Sequence, residues 1–184
     1  MKLSFAELDS PIGAIRVVVH QGAVCALGWN IDDDLKRRFG KDLRLEPGAE
    51  EEAARITAYL AGDLRAFNGM ALDAAGTGFQ RAVWALLLEI PAGQTWSYGE
   101  LARRLGRPSA SRAVGAANGA NPIAIAVPCH RVIGASGALT GYGSGIERKR
   151  WLLAHESNRL EQGAQIALFG ERIDDRQPQR DPRR

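Results

Sequence analysis

Apolar and polar positions alternate along the first thirty residues. Leu3, Phe5 and Ala6 lead into a Ser10-Pro11-Ile12-Gly13 turn; Ile15, Val17 and Val19 follow; Gln21-Gly22 then precedes the run Val24-Cys25-Ala26-Leu27. Period-two patterning broken by turn residues predicts a small antiparallel meander, with Cys25 in its core. The period then lengthens. Residues 31–39 and 50–60 are predicted as short amphipathic helices, the second entered after Pro47-Gly48. Their acidic openings, Asp32 to Asp34 and Glu50 to Glu52, lie where a helix dipole favours negative charge. Small residues dominate 68–78, which is the predicted linker between two domains.

Beyond the linker, Phe79, Val83, Leu86, Leu87 and Ile90 share one helical face, with Trp84 in the same helix as a core residue, until Pro91-Ala92-Gly93 ends it. Ser97-Tyr98-Gly99-Glu100 has capping-box spacing and opens a short helix carrying Leu101, Ala102 and Leu105, closed by Gly106. After Arg107-Pro108 a second helix is predicted from Ser109 to Gly119, completing a helix-turn-helix. That second helix is almost all Ala, Gly and Ser, with Arg112 the one long cation and Asn118 the one amide. Two readings stand: a helix packed closely in a core, or one that docks on DNA and inserts an arginine without reading much base sequence. Residues 130–133 and 138–142 are predicted to pair as a hairpin, residues 141–145 form a glycine loop, and residues 146–160 form a last amphipathic helix. The charged tail over 171–184, with Pro178 and Pro182, is expected to be flexible. The elements together predict an α/β (α+β) protein. Residues 1–75 would form a small N-terminal domain with an antiparallel sheet and helices. Residues 76–170 would form a C-terminal helical domain holding the winged-helix-like helix-turn-helix.

With 184 residues, 45% hydrophobic and 24% charged, the chain is long enough for a core without staples. No apolar run reaches membrane-spanning length and no signal-peptide layout opens the chain, and two cysteines do not make a disulfide framework, so a reducing, cytoplasmic setting is expected. The net charge of +3 conceals an asymmetry: residues 1–75 carry nine Lys/Arg against twelve Asp/Glu, and residues 76–184 carry fifteen against nine. The basic half is nearly all Arg, which suits bidentate phosphate contact and equally reflects the composition a GC-rich genome produces.

The stretch from Asn121 to Val132 sets a thiol, Cys129, beside His130 and Arg131, behind Pro128 and an apolar run. Nearby positive charge lowers a cysteine pKa, and the thiolate is the nucleophile. The competing reading is a small buried core residue with two polar neighbours. His20, Cys25, Cys129, His130 and His155 show none of the C-x2-C or H-x3-5-H spacings of a zinc site.

Asn121-Pro122-x-x-Ile125-x-x-Pro128-Cys129-His130-Arg131-Val132 is accompanied by three further segments: Gly76-Thr77-Gly78-Phe79-Gln80, Gly137 to Tyr142, and Lys149-Arg150-Trp151-Leu152-Leu153-Ala154-His155-Glu156. In this order they resemble the active-site region of the O6-alkylguanine-DNA alkyltransferases, the methylated-DNA–protein-cysteine methyltransferases. The resemblance implies that Cys129 takes the alkyl group from O6 of guanine, irreversibly and once. It implies that His130 accepts the thiol proton through a water, that Glu156 orients the imidazole, and that Asn121 links the helix to the cysteine turn. Tyr98 would protonate the departing guanine. Arg112 would fill the space of a flipped nucleotide, with Ser111, Ala113, Gly115, Tyr98 and Arg131 meeting the DNA. Val132, Tyr142, Gly143 and Ser144 would line the base pocket, Ser144 replacing a more usual glycine. The implied partner is double-stranded DNA carrying O6-alkylguanine, met by a monomer without metal or cofactor. The alternative is a noncatalytic lesion-binding or regulatory DNA-binding module on the same scaffold.

Overall fold

The computed structural model describes the backbone of residues 1–170 and side chains through residue 161; the tail expected to be flexible, 171–184, lies outside them. The opening meander forms as β1 (Lys2–Leu8), β2 (Ile15–His20) and β3 (Ala23–Gly28). A fourth strand that the pattern did not show, β4 (Arg44–Pro47), adds to β1 in parallel, giving the order β3-β2-β1-β4. Four residues, two of them charged and the last a proline, carry almost no periodic signal, and an edge is where a sheet tolerates proline. The sheet is therefore antiparallel except at that edge.

Helix α1 (Asp32–Phe39) covers a small cluster of Leu3, Val18, Cys25, Ala26, Ile31 and Leu35. Helix α2 (Glu50–Ala61) ends at Gly62, whose φ of 116° lets the chain turn where a side chain would be strained. The expected linker is pinned: the amide of Val24 donates to Ala71 O at 2.8 Å, and the amide of Asp73 donates to Val24 O at 2.8 Å. Strand β3 holds a second segment too, since Leu27 N donates to Pro122 O and Ala124 N donates to Leu27 O. One strand thus anchors both the crossing segment and the approach to the cysteine.

Helix α3 (Gly78–Leu87) opens on a capping box between Thr77 and Gln80, and ends before Ile90, which is buried in the turn that follows. Helix α4 (Tyr98–Arg104) is capped by the Ser97 hydroxyl, while the Glu100 carboxylate pairs forward with Arg103 and Arg104 instead of closing the box. A 3₁₀ turn at Pro108–Ala110 leads into α5 (Ser111–Gly119), completing the helix-turn-helix. The expected hairpin is not a ladder. Residues 132–133 form β6 (Val132–Ile133), which pairs in parallel with β5 (Trp96–Ser97), and the turn keeps only local bonds, Gly134 N to Ala138 O and Gly137 N to Gly134 O. Glycine at 134, 137, 141, 143 and 145 leaves the return side too little side chain to hold a strand. Helix α6 (Ile146–Gly170) runs past its expected end.

The main core cluster crosses from sheet to helices, joining Val17, Val24 and Leu27 to Tyr59, Val83, Leu87, Leu101, Val114, Ile123, Cys129 and Leu152. Each large side chain so buried contributes about 1.5–3 kcal/mol. Trp84 is a core residue as expected, and its indole N–H donates to Ala117 O at 2.8 Å, fastening α3 to α5.

Candidate active site

The cysteine sits on a 3₁₀ turn, Cys129–Arg131, reached through a backbone that only tight support could hold. Ile125 has φ of 69°, a conformation that costs a β-branched residue about 1–3 kcal/mol, and it is buried. Asn121 supplies the brace: its amide nitrogen donates to Val127 O at 2.8 Å and Ile123 O at 3.3 Å, while its carbonyl accepts from Ile123 N. A second link to the cysteine comes from within α5, through Asn118. That residue is buried, off the exposed face where base reading would need it, and its side-chain nitrogen donates to Cys129 O at 3.3 Å.

Beside the cysteine turn lies a largely buried charge cluster. His130 Nε2 is 2.9 Å from Glu156 Oε1, and both side chains are withdrawn from solvent. The same carboxylate accepts from Tyr59 OH at 2.8 Å, from the Gly93 amide at 3.0 Å, and from the Arg131 guanidinium at 2.8 to 3.2 Å. Burial alone would push the Glu156 carboxyl up, but the bonds from His130 and Arg131 and their charges hold it well below the usual carboxylate range. An anionic Glu156 can only accept, so Nε2 of His130 carries the proton and Nδ1 holds the lone pair. Nδ1 is buried without a partner, an acceptor with nothing yet to accept. Burial also holds the imidazole below its ordinary pKa, hence neutral.

The thiol does not behave as its neighbours in sequence suggested. Burial pushes Cys129 up, against the side chains of Asn121 and Tyr142 and the charge of Lys149. His130 and Arg131 both turn to Glu156, so the cation that acts on the sulfur is Lys149 from α6. Lys149 is buried without a carboxylate, its ammonium donating to Val132 O at 2.6 Å and Thr140 O at 3.0 Å. The resting site therefore holds a protonated thiol beside a neutral base.

Arg131, expected on the DNA face, is turned inward. Its guanidinium binds Glu156 and Ile90 O, and its side chain is 12% exposed, so it is not free to meet phosphate. Arg112 and Ala113 are exposed on α5 and Ser111 is half-buried, and among the described residues Arg112 has no ion-pair or hydrogen-bond partner. Gly115 faces the ring of Tyr98, where a Cβ would sit 3.7 Å away, so it seats the tyrosine against α5. The Tyr98 hydroxyl donates to Thr140 O at 3.2 Å, fixing the loop that runs to Tyr142, Gly143 and Ser144. Val132 is fully buried, and the buried Tyr142 hydroxyl acts on the sulfur. Ser144 O is held by Arg148, which also reaches Ile12 O and lies over the Trp29 ring. Among the described residues no group of three or more His, Cys, Asp or Glu could hold a metal ion, and no helix is long and apolar enough to cross a membrane.

Tyr59, Gly93, Asn118 and Lys149 were not visible as site residues. Two of them left a signal, Lys149 as the lone lysine of a half otherwise charged by arginine and Asn118 as the one amide of the second helix.

A buried cysteine followed by a buried His-Glu pair, in a chain with a helix-turn-helix, points to a class, and comparison with known proteins agrees with it. Residues 78–158 match the family of the 6-O-methylguanine DNA methyltransferase DNA binding domain. The chain is 58% identical over 170 residues to the methylated-DNA–protein-cysteine methyltransferase of Salmonella typhimurium, covering 87% of this chain and 99% of that one. It is 47% identical over 168 residues to that of Mycobacterium tuberculosis, covering 91% and 99%. Among solved structures, Mycobacterium tuberculosis OGT in complex with DNA superposes with a TM-score of 0.76 at 46% identity, over 85% of this chain and 94% of that one. The O6-methylguanine-DNA methyltransferase of Pyrococcus kodakaraensis gives 0.64 at 28% identity, over 84% and 98%. The chain belongs to the methylated-DNA–protein-cysteine methyltransferase family.

Proposed function

We propose that this protein repairs DNA by taking the alkyl group of O6-alkylguanine, O6-methylguanine above all, onto Sγ of Cys129, one group per molecule. The observation that carries the reading is the buried Nδ1 of His130, set by Glu156 as an acceptor on the residue that follows a buried thiol in the chain. The thiol proton passes through a water to Nδ1 as sulfur attacks the alkyl carbon. The carbon–sulfur bond forms, the bond to O6 breaks, and the electron pair leaves with guanine, which takes a proton from Tyr98. Tyr98 is then reprotonated by the imidazolium through solvent. Lys149 favours the thiolate while it exists. A base stacked in a duplex cannot offer its O6 substituent to a buried sulfur, so the nucleotide must be extruded. Arg112, exposed and unpartnered on a helix of small residues, is the side chain suited to occupy the vacancy.

The partner is duplex DNA carrying the lesion, approached through α5 by a monomer. In this reading residues 1–75 support the site, residues 76–170 bind DNA and transfer the group, and residues 171–184 are a tail. Both cysteines are free, which suits a reducing cytoplasm with access to DNA. The noncatalytic alternative has no use for a thiol held beside a base. Incubation with duplex carrying radiolabelled O6-methylguanine tests the choice: label should move to protein, in the peptide bearing Cys129. Binding of the lesion without transfer would favour the noncatalytic module.

A further inference from the structure

The first seventy-five residues reach into the reaction through one hydroxyl. Tyr59 lies near the end of α2, buried to 1% exposure, with its ring 5.0 Å from Phe67 and 5.3 Å from the His155 imidazole. Its two polar groups bond to consecutive residues of α6. The Tyr59 carbonyl accepts from His155 Nε2 at 2.9 Å, and its hydroxyl donates to Glu156 Oε1 at 2.8 Å, the oxygen that also meets His130 Nε2. Packing alone would be served by phenylalanine, and a phenol beside a buried carboxylate is placed to donate.

From these contacts we infer that Tyr59 is a positioning residue for alkyl transfer: its hydroxyl occupies a lone pair of Glu156 so that the carboxylate orients His130 without drawing a second proton onto Nδ1. The inference rests on the function proposed above. A buried carboxylate with an unfilled lone pair pulls harder on the imidazole N–H and favours imidazolium, which can accept nothing from the thiol. Arg131 also fills Glu156, but it brings a positive charge; Tyr59 fills it with a neutral donor. The charged and titratable groups around the pair are Arg131 from the cysteine turn, Lys149 and His155 from α6, Cys129 itself, and Tyr142 from the loop; the Gly93 amide completes the carboxylate's donors. None of these takes the position of the Tyr59 hydroxyl.

The test is the single-turnover rate of methyl transfer from O6-methylguanine duplex against pH, for wild type and Tyr59→Phe, with duplex affinity and Tm measured alongside. His130 must be neutral to work, so its protonation sets the acid limb. Losing the hydroxyl should move that limb upward by about one pH unit, about tenfold in rate at a fixed pH on the limb, with recovery as pH rises and unchanged DNA affinity. Site-specific replacement of Tyr59 by an ortho-fluorinated tyrosine, a stronger donor of the same size, should move the limb the other way and keeps the test alive should the phenylalanine variant fold poorly. An unmoved limb in both, or a loss equal at every pH, would assign Tyr59 to packing and overturn the inference while leaving the function intact. Absence of transfer by the wild type would take both down.

Discussion

The side-chain amide of Asn118, inside α5, donates to the carbonyl of Cys129 at 3.3 Å. The helix proposed to dock on DNA and the turn that carries the proposed nucleophile are thereby joined, so seating the helix would set the sulfur. Asn118→Ala removes one of the two donors to that buried carbonyl, the Val132 amide remaining, at a cost of about 0.5–1.5 kcal/mol. Repair of duplex should fall by more than duplex affinity does, measured as single-turnover rate beside equilibrium binding; equal losses would show that α5 and the turn are not coupled through this bond.

Cys129→Ser should abolish transfer and leave DNA binding measurable, because an alcohol in this site has almost no nucleophilic form at neutral pH. Cys25→Ser should leave transfer intact. The Cys25 thiol is pushed up to about 11 by burial under α1, so it is inert, and its replacement costs only packing. Activity surviving in Cys129→Ser would place the nucleophile elsewhere.

The buried relay makes the protein sensitive to acid. His130 and Glu156 both have folded pKa values below their ordinary ones, 6.5 and 4.5, so the unfolded chain takes up each proton first and acid favours unfolding. Stability should fall in two stages, beginning as pH drops below about 6.5 for His130 and below about 4.5 for Glu156. Glu156→Gln leaves Arg131 buried without its counter-charge and should cost about 3 kcal/mol near neutrality while removing the lower stage. Tm recorded across this pH range in both proteins checks it; an unchanged lower stage in the variant would assign that stage to other carboxylates.

Arg112→Ala should slow repair of duplex more than reaction with free O6-methylguanine. Extruding a nucleotide costs a few kcal/mol, and a side chain in the vacancy offsets part of that. Paired rate measurements on the two substrates decide: equal losses would remove the inserting role from Arg112. Binding should also weaken as salt rises and show little sequence preference, since phosphate contacts supply the affinity.

What the sequence showed and what it hid divide along physical lines. Strands β1 to β3 and helices α1 to α5 were legible because alternating or helical periodicity ran over several turns, with caps such as Ser97 and stops such as Gly106. Strand β4 and the missing hairpin were not, because a four-residue strand with one apolar side chain before its proline and a glycine-rich stretch carry no period. Within the site, Cys129, His130 and Glu156 stood in segments that mark the family. Arg131 was placed on the DNA face because sequence shows a cation but not the buried carboxylate that captures it. Tyr59 stands 97 positions from Glu156, too far for any local pattern to join them.

The thioether left on Cys129 has no carbonyl for water to attack, and removing its alkyl group would mean expelling a thiolate from an unactivated carbon, so the group stays where it lands. The bulkier sulfur must also fit the turn that already strains Ile125, and the spent protein should melt below the fresh one. The most direct test is the intact-protein mass during incubation with excess O6-methylguanine duplex. The mass should rise by one methyl group, located in the peptide bearing Cys129, and repair should stop at one equivalent. Repair continuing well past one equivalent, with Cys129 recovered unmodified, would contradict the account.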